Sequence, residues 1–459
     1  MNGDSEMTKG NSMIHAQSRS LVVDDREKNL FRVHRSAFTS EEIFRREQEE
    51  IFAKCWLYVG HESEIPRPND FQTRRVGGRT VIYARDRDGG IQVMLNTCRH
   101  RGAEVCRERR GNRKNFVCFY HGWAYDNQGA LINVPDGQRY SEHFSRADHG
   151  LFKPRTETYG GFTYLTYSTD APPLPEYLGD AKHVIDLVAD QSSSGMQIVQ
   201  GTHNYSMRAN WKLLMENSCD GYHGFTVHQT YFEMMLNLGV TPGLVAQQGN
   251  GLGCDLGNGH AVVESPELGM PLMSEEIRDA TVARRAETVQ RLGEPHTKRM
   301  LNTTRNAIIF PNMALIDLNF GIQVRTMFPL APDKTEITGW QLMPADASDE
   351  LKRYRIDNAL TFWGPAGLAT PDDVEGLEQC QRGFSSMHEV EWSDISRGLG
   401  SEQPTAVDEL QMRCFWRQWN TRITGQPGHR EGPHYDTSYL GSSPSGPALE
   451  PARNEAAAL

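Results

Sequence analysis

Two short motifs in this chain carry residue types able to bind metal. The first is Cys98-Arg99-His100 followed, after 17 intervening residues, by Cys118-Phe119-Tyr120-His121. Two Cys and two His can hold a tetrahedral zinc, but zinc modules usually place Cys with Cys and His with His. Here each half mixes one of each. That order suits a [2Fe–2S] cluster in which the thiolates take one iron and the imidazoles the other, and neutral imidazole in place of thiolate raises the potential. Gly102 and Gly122 lie one or two residues beyond each His and permit tight turns that aim backbone N–H groups at bridging sulfides. Trp123 is expected to pack the second loop on a β core. Cys106, between the halves, reads as packing.

The second motif runs from Trp211 to His228, WKLLMENSCDGYHGFTVH. Glu216 and Asp220 are spaced i,i+4, and Asp220 and His223 i,i+3, so the three are expected near one helical face. His223 and His228 are five apart, about 140° off a common face at 3.6 residues per turn. Both reach one ion only if the helix bulges or ends near Gly224, which Gly221 and Gly224 permit. A third, carboxylate ligand would complete a two-His, one-carboxylate face that leaves positions open on ferrous iron for O₂. The segment Gly364–Asp373 (GPAGLATPDD) supplies it, with Thr370 expected as helix cap and Pro371 at the first helical position. Spacing alone does not choose between Asp372 and Asp373.

The elements that must position these residues follow from pattern. Ser40–Ala53 is expected to be an amphipathic helix with Glu41 and Glu42 in its first turn. From about Phe71 to Val134 two hairpins are expected, around Asp88-Gly89-Gly90 and Asn127-Gln128-Gly129. The Pro-rich stretch Ala171–Pro175 leads into a region with helices expected at 274–301, 348–362, 372–391 and 405–422. Strands are expected there at 194–208, 307–318, 321–331 and 334–344. The resulting fold class is α+β: a small all-β [2Fe–2S] domain (54–166) and a larger catalytic domain (167–438) with an antiparallel sheet flanked by helices. A helical segment (21–53) packs on the latter, between a disordered N-terminus (1–20) and a flexible tail (439–459).

Composition narrows the partners. The chain has 459 residues and a formal net charge of −11, which argues against a nucleic-acid groove or an anionic membrane. There is no long apolar run for a membrane span and no apolar core for a secretory signal near the N-terminus. A cytoplasmic location is the expectation, where Cys near His suggests metal before disulfide.

The two motifs, in this order, resemble the large (α) subunit of Rieske non-haem iron ring-hydroxylating oxygenases, from about Phe44 to Trp392. E-N-S-C-D-G-Y-H-x-x-x-x-H looks most like the benzoate, cumate and salicylate-type branch. The resemblance implies that Cys98, His100, Cys118 and His121 hold the cluster and that His223, His228 and Asp373 hold mononuclear Fe(II). It implies that Asp220 bridges to a cluster His of a neighbouring subunit, hence at least a trimer. NAD(P)H electrons would come through a separate reductase, with or without a ferredoxin, and O₂ would be inserted into an aromatic substrate. A small β subunit (α3β3) accompanies many relatives. Monooxygenation, such as N- or O-demethylation or monohydroxylation, is the alternative outcome, and a non-catalytic Rieske electron carrier is a third reading. Substrate-pocket candidates are Met215, Asn217, Phe225, Val227, Met235, Leu236, Phe310, Phe320 and Trp363. Arg305 and Arg325 lie in the right region for an arginine that reads a substrate carboxylate, but a surface role is the expectation for both.

Overall fold

Alternating and continuous apolar runs in the second half of the chain assemble an eight-stranded antiparallel sheet. Its order is Met196–Ile198, Lys334–Pro344, Gly321–Ala331, Met313–Leu318, Thr303–Ile309, His260–Pro266 and Leu252–Gly257, with His203–Met207 also pairing on Lys334–Pro344. The computed structural model describes residues 20–239, 251–266, 273–318 and 320–440. All but a residue or two of the polar N-terminal segment and the tail expected at the chain ends lie outside that range. The helix Trp211–Ser218 crosses the middle strands, and Leu410–Thr424 lies beside it across the two strands at one edge. Trp211, Trp416 and Trp419 are fully buried between these helices and the sheet, where large aromatic side chains contribute most of the packing.

The smaller unit carries a four-stranded sheet, Ile91–Leu95, Arg79–Arg85, Asp70–Val76 and Arg110–Asn112. Beside it lies a three-stranded sheet of Leu131–Asn133, Ala124–Asp126 and Asn115–Val117. Both expected hairpins are present in it. It has its own apolar core, built on Phe71, Ile82, Met94, Phe116, Tyr125 and Leu131. The strands Leu57–His61 and Phe162–Thr166 pair antiparallel at its two ends and belong instead to the large core of the sheet domain.

Several expected elements differ in detail. The segment from residue 21 is not purely helical: Val22–Asp25 and Leu30–His34 form a hairpin whose second strand pairs with Trp392–Asp394. Phe31 and Val33 are buried while Arg32 between them is exposed, a period-two signal too short to stand out among charged neighbours. The helix after Ser40 runs Glu41–Glu47, capped by Ser40 Oγ accepting from Ile43 N, and continues as a π turn Gln48–Phe52. The helix expected over 274–301 breaks at Gly293, which has φ 81°, into Glu275–Leu292 and Glu294–Leu301. The strand expected over 307–318 is a hairpin, since Pro311 and Asn312 interrupt the ladder between Ile309 and Met313. The strand expected over 194–208 is likewise two strands. Thr370 is not the helix cap: it is the first helical residue, and its Oγ1 accepts from Gly364 N. Among the described residues no helix is long and apolar enough to cross a membrane.

Candidate active site and its two metal-binding constellations

The two Cys/His loops close with one hydrogen-bond pattern. Cys98 N donates to Ala103 O and Gly102 N to Cys98 O; Cys118 N donates to Trp123 O and Gly122 N to Cys118 O. Gly102 and Gly122 occupy equivalent positions with φ 79° and 72°, a conformation that disfavours a Cβ. The loops face each other so that His100 Nδ1 and His121 Nδ1 are 3.1 Å apart. Two imidazole nitrogens converge from one pair of positions while the Cys98 and Cys118 thiols neighbour each other on the other. Such a paired arrangement fits a two-iron cluster in which the two thiolates would take one iron and the two imidazoles the other. Trp123 stacks on His100, with centroids 5.1 Å apart and planes 7° apart. Tyr125, missed by sequence reasoning, places its hydroxyl 3.4 Å from Cys98 Sγ and accepts from Arg99 N at 3.0 Å. Cys106 is buried, with its backbone pinned by the Asn96 side chain, in line with packing.

The second constellation forms where a helix fails. Trp211–Ser218 stops at Cys219, a short helix Gly224–Val227 follows, and Gln229–Asn237 begins after His228. Glu216, Asp220 and His223 therefore do not share one helical face. Glu216 turns away to accept from Trp416 Nε1, and burial pushes its carboxyl up to about 8. Gly221 packs so tightly that an added Cβ would lie 2.3 Å from Ala406 O. This break brings the two His together: His223 Nε2 and His228 Nε2 each lie 3.3 Å from Asp373 Oδ1. Among the described residues, this is the group of three potential ligands whose donor atoms all lie within 4.8 Å of one another.

The surroundings make the three a cation site. Burial opposes protonation of His223, but its hydrogen bonds to the Asp220 and Asp373 carboxylates outweigh it and push the imidazole up to about 10. Burial likewise opposes ionisation of Asp373, and its bond to His223 outweighs that and holds the carboxyl below its ordinary value. A group that draws positive charge onto a buried imidazole accommodates a metal ion in the same place. Asp220 Oδ2 lies 3.0 Å from His223 Nδ1, which fixes the ring so that Nε2 faces the other donors. Asn217 Nδ2 donates to Asp373 Oδ1 at 3.0 Å and lies 3.2 Å from His223 Nε2. Asp372 faces the opposite side of the His228 ring, 3.9 Å from Nδ1.

A cavity of about 130 Å³ opens beside these donors, comparable to the ~150 Å³ hole that accepts benzene in an engineered protein interior. Its wall takes side chains from one face of the sheet, because Val263, Asn306 and Ile316 line it and are cross-strand neighbours in one row. Asn217, Met235, Phe320 and Trp363 line it. The other candidates do not. Met215 and Phe310 are in the main core, with Phe310 against Phe415. Phe225 stacks on Phe232, Val227 lies outside the lining, and Leu236 is 42% exposed. These belong to helix faces that the break turns away from the cavity. Phe362 and Tyr231 form wall residues not anticipated from sequence, with rings 4.6 Å apart. Arg305 and Arg325 are not at the surface: they are 0% and 3% exposed.

Comparison with known proteins agrees with this geometry. Residues 55–146 match the Rieske [2Fe-2S] domain family, and residues 195–425 match the ring hydroxylating alpha subunit (catalytic domain). The chain is 34% identical over 401 residues to the 2-halobenzoate 1,2-dioxygenase large subunit of Burkholderia cepacia, covering 85% of this chain and 84% of that one. It is 35% identical to the anthranilate 1,2-dioxygenase large subunit of Acinetobacter baylyi, covering 80% of each. The structure of naphthalene 1,2-dioxygenase from Rhodococcus sp. bound to indole superposes with TM-score 0.77 at 28% identity, over 86% of this chain and 95% of that one. A two-Cys, two-His cluster site, a helix broken around a buried His–His–Asp set and an adjoining cavity thus stand in a chain whose two halves match one family, and the chain belongs to it as the α subunit of a Rieske non-haem iron ring-hydroxylating oxygenase, on the benzoate-type branch.

Proposed function

We propose that this chain dihydroxylates a single-ring aromatic acid, with Cys98, His100, Cys118 and His121 holding the cluster and His223, His228 and Asp373 holding the iron. The observation that carries this reading is the cavity: one ring fits in it, and His223, His228 and Asp373 lie on its edge. Ferrous iron there would supply O₂ activation, using electrons passed through the cluster from NAD(P)H by a partner reductase or ferredoxin.

The chain's own residues do the rest. Asp220 holds the His223 ring, and Asn217 holds Asp373, so the donors keep one geometry. Ile316, Leu318, Phe320 and Trp363 exclude water and seat the ring. Asp220 is also the proposed bridge to a cluster His of a neighbouring subunit. Two exposed aromatic patches suit such a contact: Phe119 and Tyr120 beside His121, and Tyr222 beside Asp220. A trimer, with or without a small β subunit, follows from that reading. Eight unpaired cysteines suit a cytoplasmic setting.

The test is product analysis in ¹⁸O₂ with the reductase-coupled enzyme on benzoate and its methyl, amino and halo derivatives. Two labelled oxygens on one ring support dihydroxylation; one labelled oxygen, or loss of an N- or O-methyl group from methylated substrates, assigns monooxygenation instead. Metal analysis should give about three iron atoms per chain, whereas an electron carrier would give about two.

A further inference from the structure

We propose that Arg325 is the residue that reads a carboxylate on the substrate; the inference rests on the assignment of the cavity as the ring-binding site. Arg325 sits on the strand Gly321–Ala331, opposite Ala314 on one neighbour and Gly339 on the other. Strand alternation turns it to the same face as Gln323, and it lines the cavity. Its Nη2 donates to Ser218 Oγ at 2.7 Å and it contacts the Tyr205 hydroxyl, while Nε is buried without a hydrogen-bond partner.

The contrast with Arg305 is instructive. Both guanidinium groups are buried, but Arg305 is matched by Glu264 at 3.3 Å and Asp317 at 2.9 Å. Among the described residues no carboxylate forms an ion pair with Arg325. A desolvated cation normally has an anionic partner, because burying it alone is costly. The carboxylates and imidazoles on this wall are Asp220, His223, His228 and Asp373, and they are engaged with one another. What Arg325 lacks, a ligand carboxylate would supply, and a guanidinium fork is the side chain best shaped to receive one.

Position supports the same assignment. Ser218, which anchors Arg325, is the next residue to Asn217, whose amide holds Asp373. The guanidinium and one proposed iron ligand are therefore tied to consecutive residues at one helix end. The same wall carries the apolar side chains Ile316, Leu318, Phe320 and Trp363. A benzoate with its carboxylate at Arg325 lays its ring along that apolar stretch, with its edge toward the His–His–Asp set.

The alternative is that Arg325 only props the end of the helix through Ser218. Benzoate and benzamide, nearly isosteric and differing in charge, separate the two. Binding is measured calorimetrically to the resting holoenzyme without reductant, and kcat/KM for oxygenated product is measured on the same pair. The wild type is expected to favour benzoate by about 100-fold or more, as sites built around a polar partner do. Arg325→Gln should erase that preference while leaving benzamide binding within about threefold, and Arg325→Lys should restore part of it. Equal losses for both ligands, or a wild type without preference for benzoate, would overturn the proposal. If Arg325→Gln fails to fold, the wild-type pair and Arg325→Lys still decide. Failure of the underlying assignment has a different signature: a benzoate preference in binding, with no labelled oxygen in the ring of any product.

Discussion

Tyr125 gives the most direct handle on the cluster. Its ring is fully buried, and burial, reinforced by the neighbouring Cys98, pushes its phenol far above the ordinary value. The hydroxyl therefore keeps its proton, accepts from Arg99 N and donates to Cys98 Sγ at 3.4 Å. A hydrogen bond to a charged acceptor contributes roughly 1.5–3 kcal/mol. Reduction adds negative charge to the cluster and its sulfur ligands, so the bond is stronger in the reduced state and raises the potential. If a third to a half of its strength is differential, the effect is about 0.5–1.5 kcal/mol, or about 20–65 mV for one electron. Tyr125→Phe should lower the midpoint by that amount in a redox titration followed by electron paramagnetic resonance, with the cluster fully loaded. A midpoint within about 10 mV of wild type would show that the hydroxyl does not tune the cluster, and loss of the cluster would make Tyr125 a folding residue instead.

Three further outcomes follow from the site and its support. Asp220→Asn keeps the shape of the bridge but removes its charge; both metals should stay bound, and single-turnover electron transfer to the iron should slow about tenfold or more, with unchanged rates refuting the bridge. His260 is neutral by geometry, since Nδ1 accepts from Phe310 N while Nε2 faces Tyr177 O, and burial holds it at about 4. Its folded value lies below the unfolded one of about 6.5, so its contribution is complete above pH 6.5 and is lost as pH falls toward 4. His260→Gln should therefore be less stable at neutral pH yet lose less on acidification, by up to about 1.4 kcal/mol per pH unit in urea titrations; parallel pH profiles would refute this. Lys212 and Glu47 are buried 2.6 Å apart, and Glu47 also accepts from the Trp211 and Trp419 indoles. Lys212→Met should cost about 3–5 kcal/mol by leaving that carboxylate without a counter-charge, and adding Glu47→Gln should recover part of it; an additive double variant would refute the coupling.

The elements legible in the sequence are those whose signals are local. Gly102 and Gly122 mark their turns because the left-handed backbone leaves few other choices, and Ser40 marks a helix start because its hydroxyl has one near donor to satisfy. The break after Ser218 is half-legible. Two His five residues apart on a would-be helix require one, but the stop comes earlier than Gly224. It falls where Gly221 is pressed against Ala406, nearly two hundred residues away, and no local pattern records that contact. The hairpin at Val22–His34 failed to register for the same reason, since its partner strand is Trp392–Asp394.

The same division explains the site. Cys98, His100, Cys118, His121, His223 and His228 stand in short motifs, so their chemistry is visible before any fold is known. Choosing Asp373 over Asp372 needs the helix phase at Thr370–Gly383, which spacing leaves open by one residue and tertiary packing sets. Cavity walls are harder still. A sheet row such as Val263, Asn306 and Ile316 joins three strands whose register depends on turns and bulges. Apolar residues close in sequence to the iron motif were natural candidates, yet Phe225 and Leu236 face elsewhere because the broken helix rotates them away. Arg325 shows the limit most sharply. In sequence it is an arginine in a strand with no distinguishing neighbour, and an arginine belongs by default at the surface. Only the fold shows that it is buried, beside a cavity and, among the described residues, without a carboxylate of its own, and that combination turns an ordinary charge into a candidate determinant of specificity.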